Sequence, residues 1–165
     1  MTAATRINIR QAVPEDATAV AKVLLDSFVE FKSLYTEGGF SATTPAPGQI
    51  LTRMREGPIW IASRQNKVLG TVAAMVKGKA VCIRGMAVLP SARGSGIGAA
   101  LLQHVENWAA AQGCERLVLT TTPFLRSAIR LYERSGFTRS EEGPHDLHGT
   151  PLFVMAKNIP SQPSR

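Results

Sequence analysis

The chain has 165 residues, 44% of them hydrophobic, which suits one globular domain with a substantial core. No apolar run is long enough to span a bilayer, and Met1 to Arg6 lead into no apolar stretch; a cytoplasmic chain with neither membrane segment nor leader peptide is therefore expected. The net charge of +7 comes from scattered basic residues without interleaved aromatics, which reads against nucleic acid and leaves a phosphate-rich small molecule or a solvated surface.

Ile7 and Ile9 alternate with polar neighbours, the period of a half-buried strand. Pro14-Glu15-Asp16 opens a helix, with the acids at the positive end of its dipole. Val20, Val23, Leu24, Phe28 and Phe31 give that helix a buried face. Gly38-Gly39, Pro45 and Pro47 break the pattern and exclude a regular helix or strand from Tyr35 to Gly48. A short helix is expected from about Gln49 to Arg55. Strands follow at 58–62 and 68–76 around a turn at Gln65-Asn66-Lys67, and a third strand covers 81–89 after Gly78.

Pro90-Ser91-Ala92 ends that strand, and a helix is expected from about Gly98 to Gln112, closed by Gly113. Leu117-Val118-Leu119 reads as a buried strand. Thr122-Pro123 reads as a helix N-cap followed by proline at the first helical position, with Gly136 as that helix's end. Phe137 starts another strand, Gly143–Pro151 is an irregular connection, and Leu152–Ala156 is the last strand. Cys82 and Cys114 fall in or beside strands and are expected buried and reduced. These elements describe a mixed α/β (α+β) domain over residues 1–157 and a flexible tail over 158–165. The central sheet is expected to have about six to seven strands, flanked by about four helices.

The chemistry-bearing feature is Arg93-Gly94-Ser95-Gly96-Ile97-Gly98, between a strand and a helix. Glycine admits positive φ and close approach of a phosphate, and a helix start offers unpaired N–H groups and partial positive charge. Gly94-x-Gly96-x-x-Ala99 also fits a dinucleotide fingerprint, but the next strand ends Leu119-Thr120-Thr121-Thr122 without the acidic residue that holds a ribose. A phosphate loop ending in Gly-Lys-Ser/Thr is absent.

The loop resembles the Q/R-x-x-G-x-G/A motif of the GNAT superfamily of N-acetyltransferases, and Met86-Ala87-Val88-Leu89-Pro90 looks like the strand before it. Ala128-Ile129-Arg130-Leu131-Tyr132-Glu133-Arg134-Ser135-Gly136-Phe137 is similar to the second signature, A-x-x-L-Y-x-x-x-G-F, at the usual separation. The resemblance implies acetyl transfer from acetyl-CoA to a primary amine of a small molecule or peptide, within a ternary complex. It gives Met86, Ala87 and Val88 to the pantetheine arm, on a strand that splays from its neighbour. Arg93, Gly94, Ser95, Gly96, Ile97, Gly98 and Ala99 take the pyrophosphate. Tyr132 matches the family tyrosine near the cofactor sulfur, the general acid. Homodimers are common in the family; no metal, nucleic acid or membrane partner is expected.

The sequence also departs from that pattern. Leu125 replaces a frequent asparagine that contacts the cofactor arm, leaving Thr122 or Thr121 to substitute. The strands that often carry a glutamate base supply no carboxylate, so Glu37, Glu142, His145 and Asp146 are base candidates from loops. Tyr35 and Glu37 are acceptor-site candidates because the family often shapes its acceptor pocket from the region of Phe31 to Pro45, and His145 is a third from a loop expected to border that site. His145-Asp146-Leu147-His148 lacks the further ligands of a metal site. His104 reads as structural. The missing asparagine and base motivate an alternative, a non-catalytic acyl-CoA-binding domain; a nucleic-acid module rests on charge alone.

Overall fold

The structure, a computed structural model, describes residues 6–160. β1 (Asn8–Gln11) is followed by a 3-10 turn at Pro14–Asp16 and α1 (Ala17–Phe28). Asp16 anchors the helix entry by accepting two bonds from the Arg10 guanidinium and one from the Val13 N–H. The Arg10 bond above all holds the Asp16 carboxyl below the ordinary aspartate value. Val20, Val23 and Leu24 are buried as their spacing requires, but the α-helix stops at Phe28 and continues as 3-10 turns over Val29–Leu34.

The expected irregular stretch from Tyr35 to Gly48 is instead helical. α2 (Glu37–Thr43) runs through Gly38 and Gly39, and α3 (Pro47–Glu56) starts on Pro47. Thr36 caps α2 by accepting the Gly39 N–H at 3.0 Å. Tertiary closeness accounts for the second glycine: a Cβ on Gly39 would lie 2.2 Å from Thr150 Oγ1. Pro47 occupies the first turn of α3, where no N–H is needed.

β2 (Ile59–Arg64), β3 (Lys67–Lys77) and β4 (Ala80–Val88) form an antiparallel meander. After α4 (Ile97–Ala111), β5 (Arg116–Thr121) pairs parallel with β4. α5 (Arg126–Arg134) precedes β6 (Thr138–Ser140). The Gly/Pro/His-rich connection over 143–151 contains a two-stranded hairpin of β7 (Asp146–Leu147) and β8 (Thr150–Pro151), and β9 (Phe153–Asn158) inserts between β5 and β6. The seven-stranded sheet has the order β1-β2-β3-β4-β5-β9-β6. With α2 present, five α-helices flank it rather than about four. Residues 161–165 of the expected tail lie outside the described residues.

Alternation along β2 sends Trp60 and Ala62 into one core with Leu101, Val105 and Ala109 of α4. Ile59 and Ile61 enter the opposite core with Val20 and Leu24 of α1 and Ile50 of α3. His104 packs edge-on against the Trp60 ring at 5.3 Å, a structural role. Both thiols are free; Cys114 is buried, but Cys82 is only half-buried. Among the described residues no helix is long and apolar enough to cross a membrane.

Candidate active site

β4 carries the irregularity on which the site depends. Ala73 pairs with Arg84 and Thr71 with Ala87, so three steps along β4 oppose two along β3. The extra residue is a bulge at Gly85-Met86, where Gly85 takes φ +58°. The β4–β5 ladder ends one step earlier, at Ile83–Leu119. Beyond it β4 follows β3 to Val88, while β5 follows β9 to Thr121. The two strands therefore diverge and leave Met86, Ala87 and Val88 along an unpaired edge.

A cavity of about 770 Å³ fills that opening and reaches the start of α4. Met86, Ala87, Val88, Arg93, Gly94, Gly96, Ile97, Gly98, Ala99, Thr122, Tyr35 and Tyr132 all line it. Ser95 does not, because its hydroxyl turns inward to donate to the Ala92 carbonyl. Gly94 and Gly96 sit at φ +81° and +85°, the left-handed region glycine tolerates. Arg93 N–H donates to Pro90 and Ala100 N–H to Gly96, but the N–H groups from Gly94 to Ala99 meet no acceptor among the described residues. Six consecutive donors thus crown the positive end of α4. Gly98 serves packing instead: a Cβ there would lie 2.7 Å from Leu131 Cδ2 of α5.

The Arg93 guanidinium does not join these donors. It bonds Glu30, the Ser27 carbonyl and the Val88 carbonyl, tying the loop to the end of α1. Arg126 and Arg134 line the cavity and bring positive charge that no motif signalled.

Thr122 is not a helix cap. The segment from Thr122 to Leu125 forms a turn that swings Phe124 edge-on to Tyr35 at 4.9 Å, and α5 starts only at Arg126. Thr121 and Thr122 stay buried on the cavity wall, and their hydroxyls make no hydrogen bond of normal geometry. The Ser27 hydroxyl, also on the wall, is in the same state. Thr122 meets the Tyr35 phenol only in poor geometry, and Thr121 and Ser27 have no partner among the described residues; buried hydroxyls in this state are costly unless a ligand meets them.

Tyr132 of α5 is 6% exposed and packs against Phe137. Burial first, and the nearby Tyr35 phenol second, push its pKa well above the ordinary tyrosine value. Burial raises Tyr35 as well, opposed by the hydroxyls of Thr43 and Thr122. Both phenols are therefore protonated at neutral pH.

The other sequence candidates lie elsewhere. Glu37 borders a separate surface hollow with Lys32 and Phe40. His145 is exposed and does not line the cavity. Glu142 pairs with Arg116 at 2.6 Å, and Asp146 accepts the Gly149 N–H at 2.8 Å in the β7–β8 turn. None of the described residues lining the cavity is Asp, Glu or His. Arg53 of α3, which nothing in the sequence pattern marked, does line it.

Residues 25–137 match the sequence model of the acetyltransferase (GNAT) family. The chain is 34% identical over 97 residues to an IAA acetyltransferase of Azospirillum brasilense, a match covering 57% of this chain and 63% of that protein. It is 28% identical over 135 residues to an uncharacterized N-acetyltransferase of Escherichia coli K12, covering 78% and 80%. It thus spans less than two thirds of the Azospirillum protein. The fold is shared with the PaiA N-acetyltransferase of Thermoplasma acidophilum solved with coenzyme A (TM-score 0.80, 16% identity, 93% and 99% covered). It is shared also with the ribosomal-protein-S18-alanine N-acetyltransferase of Escherichia coli (TM-score 0.76, 18% identity, 97% of each chain).

Proposed function

Because the chain belongs to the GNAT acetyltransferase family, we propose that it transfers the acetyl group of acetyl-CoA to a primary amine by direct attack in a ternary complex. The observation that carries this reading is the run of six unpaired N–H groups from Gly94 to Ala99, placed where the β4–β5 slot ends. Such a run suits a pyrophosphate, and the free edge of Met86–Val88 suits the amides of a pantetheine arm. The unbonded hydroxyls of Thr121 and Thr122 stand across the slot and fit the role left vacant by Leu125. Acetyl-CoA supplies an activated acyl group, so no cysteine or serine nucleophile is needed.

Tyr132 is the group we assign to the leaving sulfur. As the acceptor nitrogen bonds to the acetyl carbon and the carbon–sulfur bond breaks, the phenol donates its proton to sulfur. The leaving thiolate, whose thiol has a pKa of about 8.5, is too weak a base to deprotonate a phenol above 10 outright, so the phenol passes its proton to sulfur only as it receives one from the acylated nitrogen, directly or through water. The raised pKa keeps Tyr132 in the donating form.

The test is thiol release from acetyl-CoA with a panel of amines, run beside Tyr132→Phe. The variant should lose about 10²-fold or more in turnover, the usual contribution of a positioned proton donor, with cofactor affinity nearly intact. An unchanged rate removes Tyr132 from the mechanism. The absence of any carboxylate or imidazole on the cavity wall favours a second reading, a non-catalytic acyl-CoA-binding domain. Tight acetyl-CoA binding with no thiol release for any amine would select it.

A further inference from the structure

Two arginines meet at the β4 bulge, and only one is neutralised. Arg84 of β4 pairs with Glu56 at 2.7 Å. Arg53 of α3 has no carboxylate within ion-pair distance among the described residues. Its one hydrogen bond is a long one, Nη2 to the Ala42 carbonyl at 3.3 Å. Nη1 lies 3.2 Å from where a Cβ on Gly85 would stand, so the guanidinium is seated against the bulge. Burial, and then the Arg84 charge, press its pKa downward, with Glu56 opposing. Arginine stays charged regardless, because its ordinary pKa exceeds 12.

None of its unbonded nitrogens is sealed from solvent, so the unused donors of this half-buried fork open onto the cavity that Arg53 lines, where an anion can take them up. The cofactor's pyrophosphate is not that anion. Met86 to Val88 carry β4 about 10 Å beyond Gly85, and the turn at Leu89–Ala92 follows before Arg93 is reached. Tyr35 reaches the same corner, its phenol beside Thr43 while Arg53 bonds the adjoining Ala42. The walls there and beyond include Phe28, Phe31, Leu147 and Leu152, which are apolar.

Resting on the transferase reading above, we propose that Arg53 binds a carboxylate of the acceptor, so that the acceptor is an amine carrying a carboxylate on an apolar frame. The planar fork pairs with a carboxylate through two parallel bonds, which fixes the amine's direction as well as its affinity.

Matched acceptors test it: phenylalanine against phenylalaninamide, 5-aminopentanoate against pentylamine, and phosphoethanolamine as the rival oxyanion. The wild-type protein should prefer a carboxylate over its neutral partner by about 30-fold in kcat/KM, the scale of a charge-assisted bond pair. Arg53→Met should erase that preference by raising KM for the acid far more than for the neutral amine, with the equilibrium affinity for CoA kept as the readout of an intact fold. Arg53→Lys should restore part of it. Equal or better use of the neutral amines, preference for phosphoethanolamine, or a preference surviving Arg53→Met would overturn the carboxylate assignment while the transferase reading stands. No thiol release with any amine, with CoA bound, overturns both.

Discussion

Gly39→Ala should destabilise the fold even though alanine is the better helix former. The new Cβ would fall 2.2 Å from Thr150 Oγ1 and 3.0 Å from the Leu147 carbonyl. Thr150 is 1% exposed, and its hydroxyl accepts the Thr36 N–H at 2.9 Å and pairs with the Thr36 hydroxyl at 2.9 Å. Displacing Thr150 breaks both contacts and leaves buried polar atoms unmatched, about 1–3 kcal/mol for each group stranded. Alanine's helix preference returns about 1 kcal/mol. With two groups stranded, the net is a loss of roughly 1–5 kcal/mol, or a urea midpoint lower by about 1–2 M at a typical slope of ~2 kcal/mol per M. Gly48→Ala is the control. It lies in the first turn of α3 with nothing within 4 Å of its new Cβ, so it should gain up to about 1 kcal/mol. Because Tyr35 and Leu147 flank this junction and line the cavity, Gly39→Ala should also raise acceptor KM and leave CoA affinity alone. A Gly39→Ala protein as stable as wild type in urea would show that contact with Thr150 is not what requires the glycine.

Thr122→Val removes a hydroxyl whose approach to the Tyr35 phenol falls short of normal hydrogen-bond geometry, so the stability of the unliganded fold should change by no more than ~1 kcal/mol, while acetyl-CoA affinity drops about 3- to 10-fold. Calorimetric titration giving wild-type affinity would detach that hydroxyl from the cofactor. Alkaline stability should report the buried phenols. Both Tyr35 and Tyr132 have native pKa values raised above the unfolded value near 10, so above that pH the unfolded chain releases protons that the native state keeps. Stability is then lost as pH rises from about 10, by up to about 1.4 kcal/mol per pH unit for each phenol. Tyr132→Phe should flatten that fall between pH 10 and 11; parallel profiles for the two proteins would contradict it.

What the sequence disclosed followed from local patterns. Alternation revealed β1, apolar runs on either side of a turn revealed β2 and β3, helical spacing revealed α1 and α4, and Gly113 at φ +78° and Gly136 at φ +100° ended helices as expected. The failures share one cause. α2 contradicts its own glycines because Thr36, Thr150 and the β7–β8 hairpin hold it, and those contacts lie more than 100 residues apart. Thr122-Pro123 has the composition of a cap, but the aromatic contact of Phe124 with Tyr35 spends those residues on a turn. Arg93 reads as a phosphate ligand until Glu30, distant in sequence, is seen to hold it.

The same distinction separates the end of the cavity proposed for the acyl donor from the end proposed for the acceptor. The donor end is backbone: six N–H groups in a row, an unpaired strand edge, and glycines whose spacing permits both. Contiguous backbone leaves a contiguous trace, so a short motif suffices to find it. The acceptor end is assembled from side chains of α1, α3, β4 and the hairpin, each placed by tertiary packing and each able to change without disturbing the loop. Glu37 and His145 were candidates by loop membership, and packing left both off the cavity wall; Arg53 sat within a regular helix and was found only through its missing partner. For this fold the specificity determinants are therefore expected among unpaired polar side chains on regular elements facing the β4 bulge, rather than among conspicuous residues of the connecting loops.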